Sequence, residues 1–175
     1  MKAKPTLKFL TQAAVIAALY AALTVFLAPI SYGPVQFRVA EALTLLPVLT
    51  PAAIPGLAIG CVIANLASGY GMLDIVFGSL ATLLAAVLSY FLRNMVVSKL
   101  RLPVLSAIPP VICNALIVPA VIVYAEYGSI AASPPAVYWT YAWQIGLSEL
   151  VICFLLGLAL VAALRKVPAK LLALS

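Results

Sequence analysis

The chain has 175 residues, of which 66% are hydrophobic and only 8% are charged, against about 25% charged in an ordinary soluble domain. A chain this apolar cannot be a soluble monomer. Its length is sufficient for five or six membrane-crossing helices of roughly 20 residues each. Histidine is absent from the sequence, which excludes histidine metal sites, histidine general bases and the usual catalytic triads. We therefore expect an all-α integral membrane protein with one transmembrane domain over residues 1–175 and without a metal or cofactor.

Six apolar segments follow one another along the chain. The first covers residues 9–28 and ends in FLAP, without a small-x-small cleavage site, so we expect it to be retained as a span. Residues 33–41 (GPVQFRVAE) lead into a shorter apolar run at residues 40–49. The other four segments cover residues 52–68, 75–92, 104–124 and 138–164.

Basic residues predict the orientation, because short cytoplasmic loops are enriched in Lys and Arg. With six spans, three basic clusters and both chain termini fall on the cytoplasmic side, and Arg38 alone lies outside. The clusters are Lys2, Lys4 and Lys8; Arg93, Lys99 and Arg101; and Arg165, Lys166 and Lys170. The net charge of +6 therefore indicates membrane topology, and we expect no nucleic-acid partner.

Small residues at every fourth position let helices approach closely in lipid. Such a stripe in residues 52–68 predicts packing inside the bundle. Residues 9–28 carry two adjacent alanine stripes, wide enough for a neighbouring helix and also for a second protein. The three sets are Gly56, Gly60, Ala64 and Ser68; Ala14, Ala18 and Ala22; and Ala13, Ala17 and Ala21.

A few polar side chains lie within or beside these apolar segments. Glu149, inside the last one, is the clearest case, since a charge at bilayer depth costs about 2.5–3.5 kcal/mol. The others, mostly in the predicted outer half, are Arg38, Glu41, Asn65, Asp74 and Asn114. One interpretation is an internal hydrogen-bond network, for example between Glu149 and Asn114. The other is a polar pocket open to the outside, with Arg38 and Glu41 in a loop over it.

Aromatic residues enter the last segment as YWTYAW. Tyr138, Trp139 and Trp143 suit either an interfacial belt or the walls of a pocket that stack on a ring. Because carboxylates accept hydrogen bonds and amides both donate and accept, the polar set suits a flat, polar heterocycle. The chain lacks a GxxxxGK[ST] motif, so any transport energy is expected from another subunit.

Several long strings resemble the QueT family, whose members are substrate-binding (S) components of energy-coupling-factor transporters assigned to queuosine precursors. The strings are APISYGPVQFRVAEALTLLP, LTPAAIPGLAIGCVIANL, LDIVFGSLATLLAA, NALIV and GLSELVICFLLG. The resemblance covers residues 14–164, except for the loop at residues 129–135.

The resemblance implies a six-helix S component in a prokaryotic cell membrane, with both termini in the cytoplasm. It implies an outward pocket covered by residues 33–41, no ATPase activity of its own, and toppling driven by a coupling subunit and two ATPases. The AxxxA docking motif of S components maps onto Ala14, Ala18 and Ala22.

The implied substrate is a 7-deazaguanine, such as its aminomethyl form, or queuine. Glu149 would accept from the guanine-like edge, while an aminomethyl cation would pair with Asp74 or Glu41. The remaining roles are donation to the exocyclic oxygen by Asn114, Asn65 or Arg38, and stacking by Tyr138, Trp139 or Trp143. The alternatives are an S component for another flat vitamin-like heterocycle and a self-sufficient transporter. A small intramembrane enzyme is disfavoured because no nucleophile–base pair occurs by spacing.

Overall fold

The computed structural model describes residues 6–33, 35–95 and 102–167, and these ranges contain helices and turns but no strand. We label the main helices in chain order. They are α1 (Leu7–Phe26), η1 (Val39–Val48), α2 (Ala53–Asn65), α3 (Gly71–Asn94), α4 (Val104–Tyr127) and α5 (Pro135–Lys166). Short helical turns also occur at Ala28–Ser31 and Ile130–Ala132.

Four of these helices, α1, α3, α4 and α5, are long and apolar enough to cross a membrane. The 13 residues of α2 span about 20 Å at 1.5 Å per residue, short of the ~30 Å hydrocarbon layer. The all-α membrane fold is thus confirmed, whereas the six-span count and the cytoplasmic termini stay predictions. Five basic residues of the orientation argument lie outside the described residues: Lys2, Lys4, Lys99, Arg101 and Lys170.

The short apolar run after residue 38 forms η1, a 3-10 helix of ten residues, unusually long for this helix type. Side chains three positions apart align on a 3-10 helix, so Ala40, Leu43 and Leu46 form one face, and all three belong to the core shared with α1 and α2. Leu45 points into a second core with residues of α5. Since Ala40 through Pro47 are all buried, η1 lies inside the bundle and carries Glu41 there.

Helices α1 and α2 pack through small residues. A β-carbon added at Gly56 would lie 2.7 Å from the Ala13 carbonyl oxygen, and one at Gly60 would lie 2.8 Å from that of Ala17, so only glycine permits this approach. The predicted internal packing of the glycine stripe is confirmed at these two positions. On α1 the two stripes separate: Ala13, Ala17 and Ala21 are buried, whereas Ala14, Ala18 and Ala22 are exposed.

Two of the long helices contain a π-helical turn, at Asp74–Gly78 in α3 and at Ile152–Gly157 in α5. Such turns are rare and frequently mark functional sites. Both lie next to buried acidic residues, Asp74 in the first turn and Glu149 just before the second. Gly78 leaves room for Asn65 and Asp74, because a β-carbon at Gly78 would lie 2.9 Å from Asn65 Nδ2 and would overlap the Asp74 carboxylate.

Candidate polar site inside the bundle

Six of the polar residues singled out from the sequence are almost completely buried, with at most 4% of each exposed. They come from five helices and from the connection that enters η1. The six residues are Arg38, Glu41, Asn65, Asp74, Asn114 and Glu149. Because burying a charge is costly unless it is paired or hydrogen-bonded, the contacts among these side chains determine what the cluster can do.

Arg38 connects three segments of the chain. Its Nη1 donates to Oδ1 of Asn65 at 3.3 Å, and its Nη2 donates to Oε1 of Gln36 at 3.0 Å and lies 3.9 Å from Oδ2 of Asp74. Asn65 in turn donates to the backbone carbonyl of Asp74 at 2.8 Å. The Tyr32 ring lies against the guanidinium, with 5.6 Å between its centroid and Cζ.

The charge of Arg38 is maintained by its neighbours. Burial lowers the pKa of the guanidinium, but four neighbouring groups together raise that pKa above its ordinary value: Tyr20, Cys61, Asp74 and Glu41. Glu41, Asp74 and Glu149 are three of the four acidic side chains in the whole sequence. Within the described residues, the cluster therefore combines three carboxyl groups with one permanent cation.

The two glutamates differ in how fully they are bonded. Glu149 Oε1 accepts from Asn114 Nδ2 at 3.0 Å, and its Oε2 is 3.6 Å from the Cys153 thiol. The Tyr20 hydroxyl donates to Glu41 Oε1. Glu41 Oε2 has no partner in hydrogen-bond geometry among the described residues, although Asn114 is close enough to interact with this carboxyl group.

A small cavity lies between these groups. About 10 Å³ is available to the centre of a water molecule, which is room for about one water. It is lined by two carboxylates, two amides, a guanidinium and two aliphatic side chains: Glu41, Glu149, Gln36, Asn114, Arg38, Val118 and Ile145. The cavity is polar but narrow, so a bicyclic ligand needs the surrounding segments to move apart, and a ligand pocket stays a prediction. The contact between Asn114 and Glu149 given as an example of an internal network is present.

The expected position of residues 33–41 needs one correction. Arg38 does lie in the non-helical connection before η1, but Glu41 lies in the first turn of this helix and is 1% exposed. The reason is that η1 begins at Val39, two residues before Glu41. Glu41 is thus part of the cavity wall and does not lie in a loop over it.

The aromatic residues at the start of α5 are not brought to the cavity. Trp139 and Trp143 are 62% and 74% exposed, and the Tyr138 hydroxyl donates to the Leu116 carbonyl at 2.8 Å. On a helix of 3.6 residues per turn, Trp139 lies about 80° and Trp143 about 120° around the axis from Glu149. Their placement suits the interfacial belt that the sequence analysis left open, and it does not support stacking on a ligand.

Three residues of the cluster were missed by the sequence analysis. Gln36 lines the cavity, Tyr20 donates to Glu41, and the Cys61 thiol lies 3.3 Å from the Thr82 hydroxyl and 3.5 Å from Asn65 Nδ2. A signal existed for Tyr20, the single hydroxylated aromatic residue in an alanine-rich helix. Gln36 carried no signal beyond its position two residues before Arg38.

Apolar helices of membrane-spanning length around a buried polar cluster define a multi-pass membrane protein, and intramembrane ionisable groups of this kind typically mark solute pathways. The chain belongs to the QueT transporter family, since the model of the family described as "QueT transporter" matches residues 10–166.

One curated relative is the "Queuosine precursor transporter QueT" of Lactococcus lactis subsp. cremoris (strain MG1363). It is 43% identical over 72 residues, which cover 40% of this chain and 42% of the relative. The match thus spans less than half of the relative's length. No solved structure matches the chain.

Proposed function

We propose that this protein is the membrane-embedded substrate-binding subunit of an energy-coupling-factor importer for queuosine precursors. In this proposal residues 1–175 form one domain, which captures a 7-deazaguanine from outside. A coupling subunit and two ATPases supply the energy for toppling, because the proposed subunit has no ATPase activity of its own. Membership in the QueT family and the name of the Lactococcus relative support this substrate class.

The observation that carries the proposal is the set of buried polar atoms without partners at the cavity and at the adjoining ion pair of Arg38 with Asp74. Purely structural polar networks in proteins satisfy almost all of their buried groups. Here Glu41 Oε2, Gln36 Nε2, Arg38 Nε and Asp74 Oδ1 have no hydrogen-bond partner within the described part of the chain. A ligand that both donates and accepts hydrogen bonds would satisfy them, and a deazaguanine ring does both.

The Asp74 carboxylate favours a cationic ligand. Its ion pair with Arg38 is loose, at 3.9 Å, and neither of its oxygens has a hydrogen-bond partner among the described residues. An aminomethyl cation would pair with it. We therefore assign Asp74 to the cation and Asn65 and Arg38 to its support. Asn114 and Glu149 would form part of the site wall, since both line the cavity with Arg38.

The proposed docking surface for the coupling subunit is the stripe of Ala14, Ala18 and Ala22. These three residues are exposed, whereas the neighbouring stripe of α1 already packs on Gly56 and Gly60 of α2. Small residues let another helix approach the α1 backbone closely. The free stripe is therefore available to a second protein.

Ligand binding to the purified protein tests the proposal. The full chain in detergent is titrated calorimetrically with 7-aminomethyl-7-deazaguanine, 7-cyano-7-deazaguanine, queuine, and two flat vitamins, riboflavin and thiamine. The proposal expects the wild-type protein to bind the deazaguanines. Asp74→Asn should reduce the affinity for the aminomethyl form at least about tenfold, because one charge-assisted contact is lost. Queuine keeps a basic secondary amine at the same position, so Asp74→Asn should weaken it as well, whereas 7-cyano-7-deazaguanine, with a neutral nitrile in place of the cation, should be affected less. Binding of a vitamin alone would overturn the assigned substrate class.

The energy source is tested in vesicles. The proposal expects uptake when the protein is reconstituted with its coupling subunit and ATPases, and none with this chain alone. Uptake by the chain alone would instead identify a self-sufficient transporter.

A further inference from the structure

Gln36 has an unusual backbone conformation. Its φ is 46°, and it is the single non-glycine residue with positive φ within the described ranges. For a residue with a long side chain this left-handed conformation is uncommon. Strained conformations of this kind persist only where the surroundings enforce them, and they cluster at ligand-binding sites.

Two side chains contact the Gln36 segment. The Ser148 hydroxyl lies 2.9 Å from the Ile145 carbonyl oxygen of its own helix, 3.1 Å from that of Val35 and 3.4 Å from that of Gln36, so its single proton is shared among three acceptors and α5 packs against this backbone. Arg38 Nη2 donates to Gln36 Oε1 at 3.0 Å. Since a guanidinium can only donate, this contact also determines which end of the amide is the oxygen.

The remaining end of the amide is a free donor at the cavity. Gln36 is 3% exposed and lines the cavity, yet Nε2 has no partner among the residues described. An acceptor without a hydrogen-bond partner also lies on the cavity wall. It is Glu41 Oε2; the other oxygen of this carboxyl group is bonded to Tyr20. Glu149 differs, since both of its oxygens have partners, Asn114 and Cys153.

We propose that Gln36 and Glu41 together recognise a lactam edge of the ligand, and that Gln36 is a specificity-determining residue. Gln36 Nε2 donates to the ring carbonyl oxygen, and Glu41 Oε2 accepts from the adjacent ring N–H. This inference rests on the proposed function, because the ring of a 7-deazaguanine carries such an edge. It moves recognition of that edge from Glu149 to the two groups whose hydrogen-bonding capacity is unused.

The chemistry predicts strong discrimination. An amidine edge, with an amino group in place of the carbonyl oxygen, presents a donor to Gln36 and an acceptor to Glu41, so both contacts are reversed. A buried site built to hydrogen-bond one pattern rejects an analogue that leaves its groups unpaired, by factors of about 10⁴ in favourable cases. Discrimination between lactam and amidine is therefore the property that Gln36 should control.

The experiment compares two ligands on the full-length protein in detergent. They are 7-aminomethyl-7-deazaguanine and its 6-amino counterpart, 7-aminomethyl-7-deaza-2,6-diaminopurine, which share the aminomethyl cation and the ring. Wild type should prefer the lactam by at least about 100-fold. Gln36→Glu, which replaces the donor by an acceptor of equal size, should reduce this preference at least about tenfold, since the donor contact is lost. Gln36→Gly removes the amide without strain at positive φ and should reduce it similarly.

Gln12→Glu is the matched control. It makes the same amide-to-carboxylate change on α1, where Oε1 accepts from the Thr50 hydroxyl at 3.1 Å and the side chain does not line the cavity, so the ratio of the two affinities should stay unchanged. A thermal unfolding scan of each variant verifies that it is folded.

Each remaining outcome counts against the inference. If wild type binds the lactam ligand but the ratio is the same in folded Gln36→Glu and Gln36→Gly, the assignment of Gln36 is overturned while the proposed function stands. If neither variant folds, Gln36 has a structural role, and the assignment is equally overturned. If wild type binds neither ligand, the proposed function is overturned and this inference with it.

Discussion

Asn114 on α4 donates its Nδ2 to Oε1 of Glu149 on α5 at 3.0 Å, and both residues are buried. This contact joins the two helices whose aliphatic side chains, Val118 and Ile145, line the cavity beside it. The bond therefore stabilises the bundle and also orients a carboxylate of the proposed site.

Replacing Asn114 should show how much this hydrogen bond contributes to the stability of the bundle. Asn114→Leu keeps a similar volume but leaves a buried glutamate oxygen without its donor, so the free energy of unfolding should fall by about 1–3 kcal/mol. Chemical denaturation in detergent measures the change. In a double-mutant cycle, Asn114→Leu combined with Glu149→Gln should cost less than the sum of the single changes, and strict additivity would contradict the coupling.

Gly78 should be required for ligand affinity although its φ and ψ of −64° and −43° are ordinary right-handed helical values. In Gly78→Ala the added β-carbon displaces the Asp74 carboxylate, and such overpacking costs about 1–3 kcal/mol, so affinity for the aminomethyl ligand should fall roughly tenfold. Calorimetric titration measures it. Gly69→Ala is the control, because nothing lies within 4 Å of its added β-carbon; equal losses in both variants would contradict the prediction.

The two alanine stripes of α1 should respond differently to the same substitution. Ala18 is exposed, so the Ala18→Leu variant should fold normally. The amount of coupling subunit that co-purifies with it should decrease at least about tenfold, because the larger side chain overpacks the interface. Ala159→Leu, at an exposed alanine of α5, is the control and should retain the partner.

Ala17→Leu should instead lower the unfolding temperature, since Ala17 packs against Gly60. Normal recovery of the coupling subunit with Ala18→Leu would show that another surface docks it.

The exposed tryptophans should contribute little to binding. Because Trp139 and Trp143 are 62% and 74% exposed, Trp139→Leu and Trp143→Leu should each change ligand affinity by no more than about twofold, as is usual for surface substitutions. The same titrations measure this. A tenfold loss would place an aromatic wall at the site after all.

Much of the fold was predictable because it depends on composition along the chain. The apolar segments correspond to helices within a few residues, and the buried positions of Glu149, Asp74 and Arg38 follow from the cost of charge in hydrocarbon. The spacing of Gly56 and Gly60 predicted their packing, because close approach in lipid requires small residues.

The rest depends on long-range contacts that a sequence pattern does not encode. Gln36, at φ 46°, contacts Ser148, more than 100 residues away, and no local propensity predicts this. The 3-10 form of η1, which moved Glu41 from the expected loop into the cavity wall, also depends on burial from all sides. For Trp143 the sequence suggested a pocket role that the structure does not support, because amphipathic aromatic residues suit a pocket and a membrane interface equally well.

The burial of Glu41, Asp74 and Glu149 also affects the exterior of the protein. The sequence holds only four acidic side chains, so Glu126, which accepts from the Tyr141 hydroxyl at 3.1 Å, is the one carboxylate side chain left at the periphery. Among the described residues, the periphery accordingly carries four basic side chains against this one carboxylate: Lys8, Arg93, Arg165 and Lys166. The protein should therefore retain anionic phospholipids such as phosphatidylglycerol through detergent extraction and bind tightly to cation-exchange resin.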